Sequence, residues 1–314
     1  LIAELLSPFA QDVAEGLLGA QQKTLPSSWL YDEVGSALFE VITLLPEYGL
    51  TRADAALLRE AAPEVIRQAG EPENIIELGS GTGTKTRYIL EAAAEETDVD
   101  YLPIDISGTA LRNCVATLRS LPGVNIEPLQ SQYLEGVESA RQRTQGRALV
   151  LFLGSTIGNF STEEAVSFLR SVRQRLHDGD SLLLGADLVK PRERLLPAYD
   201  DPTGVTAAFN LNLLARINRE LGGEFNLHRF AHEARYNESL SRVEMHLRSR
   251  VPQRVRIAAL HAAVTFQENE TIFTESSHKF RREDICAIGE QAGWKTVRQW
   301  ADCDWGFAET LFTA

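Results

Sequence analysis

Basic residues are in short supply in this chain: 31 lysines and arginines stand against 44 aspartates and glutamates, for a net charge of −13. Polyanions are gripped through Lys and Arg on phosphates, so no nucleic-acid partner is expected. Cysteine is nearly absent. Cys114, Cys286 and Cys303 lie far apart with no C-x-x-C pair, which excludes a disulfide framework and a cysteine zinc site. No apolar run reaches the ~20 residues a membrane helix needs, and the first residues lack the basic-then-apolar pattern of a secretion signal. A protein of the reducing cytoplasm with no membrane partner is expected. No long heptad or broad apolar stripe is visible, so a monomer is the default. His228 and His232 are spaced i, i+4 and could share a helix face. Without an H-E-x-x-H pattern or a third ligand they read as satisfied or solvated side chains, and no metal is expected.

What is present is the composition of an ordinary globular chain. Its 314 residues are 44% hydrophobic and 24% charged, enough for one large domain or two modest ones. The most informative stretch is Asn74-Ile75-Ile76-Glu77-Leu78-Gly79-Ser80-Gly81-Thr82-Gly83-Thr84-Lys85-Thr86. An apolar run enters a turn with glycines at alternate positions, and a helix-like segment follows. Glycine lets the backbone turn sharply and lets a ligand approach. The spacing is G-x-G-x-G, unlike the G-x-G-x-x-G of dinucleotide folds or the Gly-Lys-Ser/Thr of a P-loop. With the acid Glu77 before it, the turn points to S-adenosylmethionine (SAM) and a class I methyltransferase; taken alone, it could also be structural.

A second apolar segment, Tyr101-Leu102-Pro103-Ile104-Asp105-Ile106-Ser107, ends in an acid where the next strand tip is expected. An acid there accepts hydrogen bonds from ribose hydroxyls, and Asp105 fits. The competing role, capping the helix that starts near Gly108, suits Ser107 better.

From about 55 to 190, strand-like runs at 75–78, 102–106, 124–129, 148–154 and 181–188 alternate with amphipathic helices. Such alternation predicts a parallel sheet covered on both faces. The run Ala148-Leu149-Val150-Leu151-Phe152-Leu153 is almost wholly apolar, as a central strand should be. It opens into Gly154-Ser155-Thr156-Ile157-Gly158-Asn159-Phe160, placing Asn159 at a carboxyl end, where ligands gather. After 190 the pattern changes. Val205, Phe209, Leu213, Ile217 and Leu221 draw one helix face, and Gly222-Gly223 stops it. Strand-like segments at 239–247, 257–266 and 271–280 suggest a separate smaller lobe. A helix over 282–292 then precedes two strands, 294–300 and 305–312, with Trp294, Trp300 and Trp305 as packing residues. The N-terminal segment sets Tyr31 and Tyr48 beside prolines, as packing residues or as a lid over a substrate.

The motifs together carry a family resemblance. They are Tyr31-Asp32-x-x-Gly35-Ser36-x-Leu38-Phe39, Leu45-Pro46-Glu47-Tyr48, Glu77-Leu78-Gly79-Ser80-Gly81, Leu153-Gly154-Ser155-Thr156-Ile157-Gly158-Asn159-Phe160, Ala198-Tyr199-Asp200-Asp201, Thr206-Ala207-Ala208-Phe209-Asn210 and Thr274-Glu275-Ser276-Ser277-His278-Lys279-Phe280. Over nearly its whole length the chain resembles the SAM-dependent histidine Nα-methyltransferases of ergothioneine biosynthesis. The resemblance implies an α/β fold: a class I Rossmann-like methyltransferase domain (55–190 plus 281–314) with a smaller α+β substrate-binding lobe (1–54 plus 191–280). It implies a reaction in which L-histidine, then its mono- and dimethylated forms, is converted to the trimethyl betaine hercynine.

The same resemblance assigns roles. Asn159 and Tyr199 match residues that hold the substrate's α-carboxylate and amine. Tyr48 matches the phenol beside the methyl-accepting nitrogen, and Tyr31 lies near the transfer path. Glu275 and Ser277 match the pair that recognises imidazole; Thr206 and Phe209 line the pocket. Met245 falls where a side chain packs on the ring, or is simply core filler. Glu77, Gly79, Ser80, Gly81, Thr82, Gly83, Lys85, Asp105, Gln132 and Tyr133 fall to the cofactor. Two positions depart from the pattern: Gly49 stands where a second tyrosine is common, and Gln132 where an adenine-contacting acid is usual. Glutamine can still donate and accept at an adenine edge. An Nα-methyltransferase for another amino acid, such as tryptophan, is the alternative; Glu275 argues against it.

Overall fold

The computed structural model describes residues 6–19 and 21–314. In chain order the helices are α1 (Pro8–Leu18), α2 (Glu33–Leu44), α3 (Leu50–Gln68), α4 (Arg87–Ala94), α5 (Gly108–Leu118), α6 (Tyr133–Arg143), α7 (Thr162–Arg173), α8 (Arg192–Tyr199), α9 (Val205–Leu221) and α10 (Arg282–Gln291). The strands begin with β1 (Lys23–Thr24), β2 (Asn74–Leu78), β3 (Val99–Asp105), β4 (Val124–Ile126), β5 (Leu129–Gln130), β6 (Ala148–Phe152) and β7 (Ser181–Asp187). They continue with β8 (Phe230–Asn237), β9 (Arg242–Ser249), β10 (Gln253–Ile257), β11 (Ala262–Phe266), β12 (Thr271–His278), β13 (Lys295–Asp302) and β14 (Phe307–Thr313). None of the helices among the described residues is long and apolar enough to cross a membrane.

The chain divides into two compact units, Leu1–Tyr48 with Pro191–Ser277 and Gly49–Lys190 with His278–Ala314. The borders differ from the sequence reading by a few residues. At the first border, α3 is one continuous helix from Leu50 whose buried face joins a single core, so 49–54 goes with it. At the last, Phe280 bridges to Leu188 beside β7, drawing 278–280 into the same unit.

The larger unit is a sheet in the order β13-β14-β7-β6-β2-β3-β4, with β5 pairing β3. β2, β3, β6 and β7 run parallel, whereas β14 is antiparallel to β7 and forms a hairpin with β13. Successive strand residues point to opposite faces, and both faces are apolar here. Ile76, Val150 and Leu182 pack under α6, α7 and α10; Ile75, Leu149 and Leu183 pack under α3, α4 and α5. The expected strand over 124–129 is broken in two around Pro128, which has no N–H to donate to a ladder.

The smaller unit carries a sheet in the order β1-β12-β9-β8 and the hairpin β10–β11. Helix α9 buries Phe209, Leu213, Ile217 and Leu221, the spacing read from the sequence. Gly222 closes it in the left-handed conformation, its N–H returning to the Ile217 carbonyl. Two readings are corrected here. The segment 257–266 is not one strand, because Ala258–Leu260 form a 3-10 turn and His261 is left-handed. Strand β8 lies where none was expected, so His228 sits in a turn and His232 on a strand, with no shared helix face.

Candidate active site

In the larger unit, β2 lies between β3 and β6 and delivers the glycine turn at its carboxyl end. Gly79, Gly81 and Gly83 all have positive φ (75°, 51° and 71°), a region L side chains rarely adopt. Their surroundings differ. A Cβ at Gly79 would lie 2.9 Å from the Tyr133 hydroxyl, and one at Gly83 2.7 Å from Leu118 Cδ1, whereas one at Gly81 would meet nothing within 4 Å. Gly79 and Gly83 are therefore packing requirements, and Gly81 borders open space that a side chain would fill. That cradle is what a closely bound ligand needs.

Glu77 lies beneath the turn. Its oxygens accept hydrogen bonds from Thr86 Oγ1 at 2.8 and 2.9 Å and from the Tyr101 hydroxyl. Burial pushes its carboxyl up to about 7, against the pull of Tyr101, Thr86 and Lys85. The side chain thus braces the turn by fastening the start of α4 to β3. Asp105 ends β3 half-buried; burial raises its pKa while the backbone N–H groups of Ser107, Gly81 and Ile106 pull it down. Ser107 Oγ accepts from the Ala110 N–H at 3.2 Å, so the helix cap is the serine and Asp105 is not needed for it. Gln132 is exposed in front of α6 and makes no capping bond. Tyr133 follows, its ring against Phe152 and Phe168. Ser80 is buried, and the hydroxyls of Thr82 and Thr84 lie 3.0 Å apart at the exposed edge.

Lys85 forms an ion pair with Asp54, a fully buried residue of α3. Burial opposes the lysine's charge, but Asp54 prevails and raises its pKa. Asp54 Oδ2 also accepts the Gly154 N–H at 3.1 Å, tying the glycine turn to the segment leaving β6. In that segment Ser155 is left-handed, with φ of 60°, and its Oγ accepts the buried Asp187 N–H at 2.9 Å. Strain of this kind persists where the surroundings over-determine it, commonly at functional turns. The 3-10 turn that follows presents Asn159, half-buried.

The smaller unit gathers a second set of residues. Tyr31 meets Phe39 and Phe209 with ring centroids 5.4 and 5.5 Å apart; Phe39 reaches Tyr48 at 6.2 Å, and Tyr48 reaches Tyr199 at 6.3 Å. Aromatic faces carry negative charge density and attract cations. Phe39 joins this wall although only its motif, not its role, was read from the sequence. The Tyr199 hydroxyl donates to Ser277 Oγ at 2.8 Å. Glu275 is buried on the same strand, Thr274 Oγ1 donates to the Met245 carbonyl, and Met245 is itself buried. Thr206 lies at the start of α9, where Asp201 accepts its N–H at 2.7 Å.

Other residues set these side chains in place. Asp32 caps α2 by accepting the Gly35 N–H at 2.7 Å and also takes the Asn212 side-chain N–H at 2.8 Å. A side chain at Gly35 would lie 1.7 Å from the Leu30 carbonyl oxygen, which explains the Tyr31-Asp32-x-x-Gly35 spacing. His232 Nε2 donates to the Tyr199 carbonyl at 2.7 Å and Nδ1 accepts from Asn210 Nδ2 at 2.9 Å. Burial lowers its pKa, so His232 is a neutral brace with both nitrogens engaged. Gly49 has a local explanation too: a Cβ there would lie 2.2 Å from Trp305 Cε3. The indole, whose N–H reaches Asp187 Oδ1 at 3.0 Å, fills the room a side chain at 49 would need.

A parallel sheet with a terminal antiparallel hairpin, and a glycine turn with open space at its first carboxyl end, defines a class I, Rossmann-like methyltransferase. Over residues 9–314 the chain matches the histidine-specific, SAM-dependent methyltransferases, and it belongs to that family. It is 45% identical over 294 residues to the histidine N-alpha-methyltransferase of Mycolicibacterium smegmatis, covering 93% of this chain and 90% of that protein. Identity to the protein of the same name in Mycobacterium tuberculosis is 43% over an equal length. Ergothioneine biosynthesis protein 1 of Schizosaccharomyces pombe is 29% identical over 287 residues, 88% of this chain and 37% of that longer protein. The chain is accordingly an enzyme that uses SAM, and the cradle at Gly81 fits that cofactor.

Proposed function

We propose that this enzyme methylates the α-amino nitrogen of L-histidine three times, yielding hercynine on the way to ergothioneine. The observation that carries the reading is the buried Glu275 on the strand of Ser277, whose hydroxyl is bonded to Tyr199. A buried carboxylate can accept a charge-assisted hydrogen bond from an imidazole N–H.

SAM supplies an electrophilic methyl group on a positively charged sulfur. The task of the chain is to hold a neutral amine in line with the methyl–sulfur bond, and positioning of that kind removes much of a barrier. In this reading Asn159 and Tyr199 hold the α-carboxylate and amine, while Glu275 and Ser277 fix the ring. Tyr48 and Tyr31 flank the nitrogen; Phe209, Thr206 and Met245 line the pocket. Glu77, Lys85, Asp105, Gln132, Tyr133 and the residues of the glycine turn serve the cofactor. An α-ammonium loses its proton with a pKa of roughly 8, and a neighbouring positive charge favours the neutral amine. His232 has both nitrogens occupied, so the proton leaves to solvent through a tyrosine–water contact. After the third transfer the nitrogen has no lone pair, and the reaction stops.

The same reading makes the enzyme a cytoplasmic monomer acting on a free amino acid; its net charge of −13 argues against nucleic acid. The test is incubation with SAM and each of the twenty amino acids, followed by mass detection. A gain of three methyl groups on histidine alone is expected. Methylation of tryptophan in preference to histidine would overturn the substrate assignment.

A further inference from the structure

Glu309 of β14 has no part in the reaction outlined above. It stands opposite Gly185 of β7 and is fully buried, with neither carboxyl oxygen receiving an N–H or O–H donor. A Cβ on Gly185 would lie 2.8 Å from its Oε1, so the carboxyl occupies room that glycine leaves. Within hydrogen-bonding reach is Asp54. Asp54 is also fully buried; its Oδ2 holds Lys85 and the Gly154 N–H, while its Oδ1 receives no donor. An ionised carboxylate stripped of water and of donors costs several kcal/mol and takes up a proton instead. Two facing carboxyl groups with one proton between them engage Asp54 Oδ1 and one of the two orphan Glu309 oxygens. Like charges this close cannot both ionise.

We propose that Glu309 is a positioning residue held as the neutral acid, donating its proton to Asp54 Oδ1 so that Asp54 keeps Lys85 clamped to the Gly154 turn. The clamp joins the segments leaving β2 and β6, adjacent strands of the sheet. It sets the spacing of the crevice assigned above to the cofactor, and the inference rests on that assignment. The charged groups acting on Glu309 are Asp54 from α3 and Lys85 from the segment before α4; Glu77, at the end of β2, acts on Lys85. Burial and Asp54 both raise the Glu309 pKa, against Lys85. Below its titration the cluster holds one lysine against one carboxylate. Above it, a second negative charge pulls on Lys85 and the clamp loosens.

The first measurement needs neither ligand nor variant. Infrared spectroscopy of the protein labelled with carbon-13 glutamate should show, at a pH above the titration of Glu77, the carbonyl stretch of a protonated carboxylic acid, fading as pH rises further. Its absence overturns the proposal. The second measurement is calorimetric binding of S-adenosylhomocysteine across the same pH range. Wild-type affinity should fall at least tenfold as the band fades. Glu309→Gln, whose amide donates without titrating, should lose the band yet bind with nearly pH-independent affinity. Asp54→Asn should bind at least tenfold more weakly at every pH. A Glu309→Gln variant with the wild-type pH slope, or as weak as Asp54→Asn at neutral pH, overturns the positioning role. A folded Gly81→Val variant that keeps wild-type affinity would instead overturn the placement of the cofactor, whatever the infrared band shows.

Discussion

Tyr199 and Ser277 share one hydrogen bond of 2.8 Å, phenol donating to hydroxyl, which ties the end of α8 to β12. The tyrosine's backbone carbonyl is held by His232. Two residues assigned to different ends of the substrate are thus mechanically one unit. Tyr199→Phe and Ser277→Ala should each raise KM for histidine, and the double variant should cost less than the sum. A coupling of about 1 kcal/mol is expected for a neutral pair. Steady-state kinetics on the four proteins measure it, and strict additivity would show that the bond does not matter to binding.

Glu275 sets substrate identity in the proposed reading. A carboxylate facing an imidazole N–H makes a charge-assisted bond, and a site built for a polar partner rejects analogues that lack it. Glu275→Ala should raise KM for histidine strongly and narrow the gap between histidine and phenylalanine, with cofactor affinity little changed. Kinetics with both amino acids decide this. Unchanged discrimination would remove the main reason for choosing histidine.

Asn159 follows β6 in the larger unit, and the proposal gives it the substrate's charged α-groups. Asn159→Ala should weaken histidine binding while sparing S-adenosylhomocysteine. Truncating a partner of a buried charge costs on the order of 2 to 5 kcal/mol. If calorimetry shows the cofactor product losing affinity instead, Asn159 belongs to the cofactor.

Glu77 makes stability depend on pH. Its carboxyl holds its proton up to about 7 in the fold, against an ordinary value of 4.5. Between those values the native state binds the extra proton, so stability falls as pH rises through the window and levels off above it. A shift of this size is on the order of 3 kcal/mol. Glu77→Gln should lose that part of the slope. Urea midpoints at pH 5 and pH 7.5 for both proteins provide the check; an identical difference in both would mean the carboxyl does not titrate there.

The sequence made legible what local pattern encodes. Alternating apolar runs located β2, β3, β6 and β7, and a four-residue period located α9. Strand β8 escaped because His232, Glu233 and Arg235 interrupt its apolar residues; His232 is held by Tyr199 of α8, Glu233 by Arg248 of β9, and Arg235 pairs with Glu233 along the strand itself. The strand expected over 257–266 ran β11 back through the turn that precedes it, because that turn is itself apolar, Ala258-Ala259-Leu260. Within the site, motif resemblance reached Tyr31, Tyr48, Tyr199 and Glu275. It did not reach Asp54 or Glu309. A single acid in a helix or strand carries no local signal, and these two acquire their chemistry only when α3 and β14 bring them together.

Gly49 and Trp305 claim the same space, with 2.2 Å between the indole and the place a Cβ would take. The two positions are therefore a single heritable character. Restoring the second tyrosine that the family often carries is a two-site change here, because the indole must first give up its seat. A library that varies position 49 alone should return glycine, and one that varies both should return pairs whose bulk trades from one side to the other.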